Sequence, residues 1–517
     1  MRSNNFLLIG FFITCHLGFG QKNPVFERLP VGKYAVGFKI LTIFDDSRMD
    51  RPEFNYLGEK NEGDRRRKIT MHIWYPAVAN TGKKRLVYAD YCYNERLSNS
   101  SELIAESLKN GQLESERRSV ENWFGKSTDG AWDSLIRAPM LAEMEAEPIK
   151  EKMPLLIGML RSISTSITNE MLASNGYVVV MVRGNGAGSF ALSALNDIPD
   201  MQHAIQWLNG KENINDRIGS FGFSGSGFSQ VLFAMHESRV NALADIESGI
   251  YMEGLFQGLS ASNYYNPAKL RVPFLHIFSL DLSKREKYID EFEKKSKFDQ
   301  RYRLILNQHG LHHWDFAAEG YTACIFLNNR GAEKEHIRQS FEIASNYLLQ
   351  FLNAILKKEP DAMHLLSDRS LLKGFASSLW DIRYYPALKP VPSREELDYI
   401  IRTRGIETAM DILNKTLPND SSSDIMQWFV LNPMGYLYLN EGMYKEAIAI
   451  FSLNIRLHPN DANLFDSLAE GYERSGDKEN MKQASSNVLG LLLKKSALTD
   501  SEKALQSNAE KRLSNSN

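Results

Sequence analysis

The chain has 517 residues, 43% of them hydrophobic and 24% charged, which is room for about three ordinary globular domains. Lys+Arg 61 against Asp+Glu 63 leaves a formal charge of −2, so no basic excess points to a nucleic-acid partner. The same composition excludes collagen-like, disulfide-scaffold and disordered classes, and no apolar run of about 18 residues follows the first twenty to form a transmembrane segment.

Residues 1–20 read as an export signal: Met1-Arg2 is a positive start, Phe6–Thr14 is apolar, and Gly18-Phe19-Gly20 puts small residues before Gln21. The apolar run is too short to cross a bilayer. The expectation is a periplasmic or secreted protein, mature from near Gln21. Cys15 leaves with the signal, so Cys92 and Cys324 remain, and the sequence leaves open whether they pair.

Residues 21–360 alternate strand-like and helix-like stretches. Predicted strands are Tyr34–Ile43, Lys68–Tyr75, Pro154–Met159, Tyr177–Arg183, Arg217–Phe223, Ala242–Glu247, Pro273–Leu280 and Tyr302–Leu306. Several are unbroken apolar runs, as in central strands covered on both faces. Helical patterns such as Asp200–Leu208 and Phe228–Met235 lie between them, so the fold class is α/β with a mostly parallel sheet. Residues 97–147 read as a charged, helical insertion. A linker is expected over 361–394, running into the Pro-containing segment 385–396. Residues 395–497 read as helical repeats: Gly435, Tyr438 and Gly442 return 34 positions on as Ala469, Tyr472 and Gly476, the period of tetratricopeptide hairpins. Residues 395–418 resemble a degenerate earlier hairpin, and residues 498–517 a polar, frayed tail.

The sharpest chemical signal is Gly222-Phe223-Ser224-Gly225-Ser226-Gly227 between a strand and a helix. Small neighbours let the backbone turn sharply and present the serine hydroxyl at the sheet's carboxyl edge, as a nucleophile elbow requires. Ser226 stands where the pattern prefers glycine, and added strain is expected there. A serine hydroxyl needs a base to take its proton. His309, His312 and His313 sit in the loop after Tyr302–Leu306, where such a base belongs. The same three imidazoles could alternatively form a metal cluster. The orienting carboxylate is Glu247 or Asp281, each ending a strand after the nucleophile helix; Asp245 lies one pleat deeper.

At these residues the sequence resembles the platelet-activating factor acetylhydrolase group of α/β-hydrolases and their dienelactone-hydrolase-like relatives. The likeness spans about residues 30–350 and rests on VGFKILTIFDDSR, HIWYPA at 72–77, PLLIGM, LASNGYVVV at 172–180, the GFSGSG elbow and HWDF at 313–316. It implies an α/β-hydrolase fold and metal-independent cleavage of short or oxidised acyl esters. Ser224 would be the nucleophile, and His313, followed two residues later by Asp and then Phe, the base. The family's acid falls at Glu247, 23 residues after Ser224, with Glu for the usual Asp. The family's His-Gly oxyanion turn is replaced by Gly158-Met159-Leu160-Arg161; backbone N–H groups of Gly225 and of Met159 or Leu160 are the expected donors.

The reading is an exported serine esterase without cofactor or metal, acting on a small-molecule or lipid ester through an acyl-enzyme. The helical repeats would offer a surface for a protein partner. The competing reading is a degraded hydrolase shell that only binds through those repeats.

Overall fold

The computed structural model describes residues 23–79, 82–92, 111–184, 190–211, 213–248, 256, 260, 264–279, 286–307, 311–327, 331–368, 372–386, 391–419 and 423–515. The expected export signal lies outside them. Packing divides the chain into two compact units, residues 1–387 and 388–517.

Among the described residues, the first unit is built on one eleven-stranded sheet. Its strands are β1 (Ala35–Met49), β2 (Arg66–Ala77), β3 (Arg85–Val87), β4 (Pro139–Met144), β5 (Met153–Leu160), β6 (Val178–Arg183), β7 (Ile214–Phe223), β8 (Val240–Ile246), β9 (Phe274–Ser279), β10 (Arg301–Leu306) and β11 (Trp380–Tyr385). They run in the order β11-β10-β9-β8-β7-β5-β6-β2-β1-β4-β3. The stretch from β10 to β6 is parallel throughout, and β2 and β11 flank it antiparallel.

Strand side chains point alternately to the two faces, and here both faces are apolar. In β6, Val179 and Met181 enter one core while Val178, Val180 and Val182 enter the other. Covering helices are α1 (Gln112–Phe124), α2 (Asp129–Ile136), α3 (Ser166–Ser174), α4 (Phe190–Leu208), α5 (Gly225–His236), α6 (Glu286–Lys295), α7 (Ala318–Phe326), α8 (Lys334–Leu352) and α9 (Pro360–Asp368). Val120, Trp132, Met171, Tyr321 and Tyr347 bring α1, α2, α3, α7 and α8 to the first face. Met201, Val231 and Phe292 bring α4, α5 and α6 to the second.

Three sequence expectations need correction. The insertion over 97–147 is helical in α1 and α2 but also holds β4, which pairs parallel to β1 and antiparallel to β3. Its sequence, PMLAEM, has no β-branched residue, so local propensity hides a strand that its neighbours enforce. The segment 361–394 is not a simple linker, because most of α9 and all of β11 lie in it. β11 pairs with β10 from Tyr385–Arg301 to Trp380–Leu306 and buries Ile382. The hydrolase-like unit therefore extends to residue 387. Cys92 and Cys324 are buried and not joined in a disulfide.

The second unit is all helical: α10 (Arg394–Arg404), α11 (Ile406–Thr416), α12 (Trp428–Asn440), α13 (Tyr444–Leu457), α14 (Ala462–Ser475), α15 (Lys478–Leu492) and α16 (Asp500–Ser514). Trp428 and Ala462 begin equivalent helices 34 positions apart, as do Tyr444 and Lys478. Gly435 lies so close to the Phe451 ring that any Cβ would collide with it. The third correction is the tail, since residues 500–514 form α16 rather than fraying. A Thr499–Glu502 capping box starts it, Ala509 is buried, and Arg512 reaches Asp466 at 2.5 Å and Glu473 at 2.8 Å.

Candidate active site

Strand β7 delivers the chain to Ser224 and α5 leads it away. Ser224 has φ 55° and ψ −124°, a conformation non-glycine residues occupy only when their surroundings force it. The Ser224 N–H donates to Ile246 O at 2.9 Å, tying the elbow to the end of β8. The backbone at Gly227 packs on the carboxyl of Asp245 so tightly that a side chain there would collide with it. Ser226 carries no positive φ. Its buried hydroxyl instead donates to Met159 O at 2.8 Å, so the departure from glycine adds a tether to β5 where added strain was expected.

Three of the residues singled out by sequence meet at this edge. Ser224 Oγ lies 2.8 Å from His313 Nε2, and His313 Nδ1 lies 3.3 Å from Glu247 Oε2. His313 opens a short 3-10 turn, His313–Phe316. In that turn the buried Asp315 carboxylate accepts from the His312 N–H at 2.7 Å, which fixes the turn that aims the imidazole. The His313 ring stacks on Phe223 with centroids 4.7 Å apart. Glu247 is also at positive φ, 49°; its N–H donates to Ile277 O at 2.8 Å, and its carboxylate accepts from the Ser279 N–H. The longer Glu arm is thus held by β9 on one side while it faces the imidazole on the other.

Asp245 is fully buried, 3.6 Å from His276 Nε2. Burial, with Glu247 beside it, pushes its carboxyl well above the usual range, and burial holds His276 neutral. The pair lies in the sheet beneath the elbow and away from the histidine loop. His312 is exposed and does not join the cluster. Asp281 and His309 lie outside the described residues.

Met159 and Leu160 end β5 beside the elbow. The segment after them is tethered on two sides. Arg161 bonds Asp197 and reaches Ser229 Oγ of α5 at 3.0 Å. Ser164 O accepts from the Ala318 N–H at 2.8 Å, just past the histidine turn. A short loop so anchored is held in place, as a backbone oxyanion site would need. Gly225 opens α5, so its amide belongs to the helix N-terminus, where the macrodipole favours negative charge.

Sequence reasoning did not find a chain of buried polar groups behind this loop. Trp74 Nε1 donates to Tyr91 Oη at 2.8 Å, Tyr91 Oη donates to Glu170 Oε1 at 2.5 Å, and Glu170 Oε2 accepts from the Leu141 N–H at 2.5 Å. Burial raises Glu170 to about 7. The HIWYPA stretch at 72–77 is the available signal, but nothing in the sequence ties its Trp74 to Tyr91 or Glu170.

The X-Pro dipeptidyl-peptidase (S15) family model matches residues 64–266, a stretch that holds Ser224 and Glu247 but ends before His313. No curated protein matches the chain. Among solved structures, a ferulic acid esterase from Streptomyces cinnamoneus is similar at 18% identity and a TM-score of 0.46, over 69% of this chain and 97% of that one. The sheet topology and the family match together support an α/β-hydrolase, and with it a serine-hydrolase kind of activity.

Proposed function

We propose that the protein is an exported serine hydrolase of carboxylic esters, with Ser224 as nucleophile, His313 as base and Glu247 as the orienting acid. The observation that carries the reading is the unbroken line from Ser224 Oγ to His313 Nε2 at 2.8 Å and from His313 Nδ1 to Glu247 Oε2 at 3.3 Å. The three occur in the chain order Ser, acid, His that this fold uses.

Ser224 Oγ bonds to the ester carbonyl carbon as its proton passes to His313 Nε2. The tetrahedral oxyanion is met by backbone N–H groups of Gly225 and of Met159 or Leu160. Collapse breaks the C–O bond, and the leaving alcohol takes the proton from His313. Water, deprotonated by the same imidazole, then releases the acid and restores Ser224. Glu247 stabilises the imidazolium and holds its tautomer throughout.

The match to the S15 family favours a second reading, release of an Xaa-Pro dipeptide by the same groups. Purified protein offered p-nitrophenyl butyrate, Ala-Pro-p-nitroanilide and a fluorophosphonate separates these readings. Ester turnover with labelling of Ser224 supports the esterase, and faster anilide turnover the peptidase. No turnover and no label would leave an interaction protein. The helical unit fits a tetratricopeptide-like array that binds a protein partner, and export predicts a mature N-terminus near Gln21.

A further inference from the structure

The expected oxyanion donors come from two segments, the end of β5 at Met159-Leu160 and the start of α5 at Gly225. Whether their N–H groups meet one oxygen depends on how those segments are held to each other. Ser226 Oγ joins them directly, donating to Met159 O at 2.8 Å. A further junction lies one turn along α5 and brings in a third element. Arg161, the residue after Leu160, donates through Nη2 to Asp197 Oδ2 and to Ser229 Oγ at 3.0 Å. Ser229 Oγ donates in turn to the same Asp197 oxygen at 2.9 Å. The three atoms close a ring of hydrogen bonds that links the loop after β5, helix α4 and helix α5.

Asp197 is the corner on which both bonds converge. It is 1% exposed, and Ser229 is fully buried. Ser229 Oγ also lies 3.4 Å from Gly225 O, so the ring reaches back to the residue that follows the nucleophile. On the other flank the Gly184 N–H donates to Leu160 O at 3.4 Å, which ties the same stretch of β5 to β6. A buried ion pair is weak evidence for stability, because desolvation offsets the attraction. Charge-assisted bonds do supply a short, directed contact. A carboxylate that accepts from both segments at once sets the separation between them.

Resting on the serine-hydrolase reading, we infer that Asp197 is a positioning residue for the oxyanion site: through Arg161 and Ser229 it fixes the end of β5 against the start of α5. It touches no substrate and acts on the transition state through the two backbone segments.

The test compares an oxygen ester with its thiono analogue, 4-nitrophenyl butyrate against O-4-nitrophenyl thionobutyrate. Sulfur is a weak hydrogen-bond acceptor, so a well-placed pair of N–H donors favours the oxygen ester. Wild type should favour it, in kcat/KM, by about a hundredfold more than hydroxide ion does. Asp197→Leu should lower that preference by about tenfold and Ser229→Ala by about threefold, with kcat falling and KM little changed, as for an interaction made in the transition state. The ratio is unaffected by the fraction of folded protein, because both esters are turned over by the same molecules. Tyr177→Phe loses a 2.7 Å buried bond to Asn353 at the amino end of β6 and should leave the ratio at the wild-type value. If Asp197→Leu does not fold, Ser229→Ala decides, since it removes one bond of the ring without stranding a charge. If only the anilide is turned over, Ala-Pro-p-nitroanilide and its thioamide analogue carry the same comparison.

Wild-type ratios in the ring variants overturn the positioning role, as does an active wild type whose preference matches that of hydroxide; the serine-hydrolase reading survives both. A wild type inert to every substrate and to fluorophosphonate overturns that reading, and the positioning role with it.

Discussion

Ser224 and Glu247 are two of the four non-glycine residues at positive φ among the described residues. Strain of this kind costs on the order of 1–3 kcal/mol per residue and collects where a side chain must be aimed. Here it aims a hydroxyl and a carboxylate at one imidazole. Ser224→Ala should abolish fluorophosphonate labelling and lower turnover by about a million-fold, as loss of a nucleophile does when the triad acts as a unit. Ser226→Ala should stay labelled and lose only about 1 kcal/mol of stability, the worth of its bond to Met159 O, read by denaturant titration. Glu247→Gln keeps the shape but leaves the imidazole without its anion. It should cost about four powers of ten in turnover, whereas Asp281→Asn should cost little. A crippled Asp281→Asn beside an active Glu247→Gln would transfer the role to Asp281.

Elements explain why some of this was legible in the sequence and some was not. The central strands announced themselves because both their faces are apolar, and the elbow did so because only small residues fit between β7 and α5. Strand β4 lacks β-branched residues, and β11 is a short edge strand with one buried aliphatic residue, Ile382; neighbours rather than propensity make them strands. Helix α16 looks polar because its anchor to the unit is an arginine. The buried polar residues Trp74, Tyr91 and Glu170 lie on three separate segments, which no linear pattern joins. Glu170 shows what such joining does: α3 is docked on β4 through the Leu141 N–H and Glu170. Its folded pKa, raised to about 7 by burial, exceeds its unfolded value. Stability from this group is full below the unfolded pKa of about 4.3 and is lost as pH rises toward 7, because the unfolded chain then binds fewer protons than the folded one. Glu319 and Glu342 are also raised to about 7. The melting temperature should therefore fall between about pH 4.5 and 7, and Glu170→Gln should make that fall shallower without removing it. In the helical unit, Gly435→Val would drive a branched side chain into the Phe451 ring and should destabilise that unit by about 1–3 kcal/mol, visible as an earlier thermal transition.

At the scale of the whole molecule the question is where the catalytic unit ends. The sequence placed its end near residue 360, at the start of a linker, but the sheet continues through β11. Leu366, Leu372, Leu379 and Ile382 are buried in the same core as the residues of α8. A chain ending at Glu359 would strip these side chains from the core and leave the β10 edge unpaired. Exposed apolar surface and an open strand edge are the two usual routes to aggregation. A chain ending at Ala387 keeps those side chains in the core and the β10 edge paired with β11, and its residues form a unit with their own cores. Domains that bury their own apolar faces fold independently of their neighbours in the chain. The chain ending at Ala387 should therefore be soluble and monodisperse by gel filtration, melt in one transition, and hydrolyse p-nitrophenyl butyrate with unchanged kcat/KM. The chain ending at Glu359 should be insoluble. If the longer truncation is also insoluble or inactive, the helical unit completes the hydrolase rather than merely trailing it. If the shorter one is active, β11 is dispensable, and the sequence boundary near 360 was the functional one.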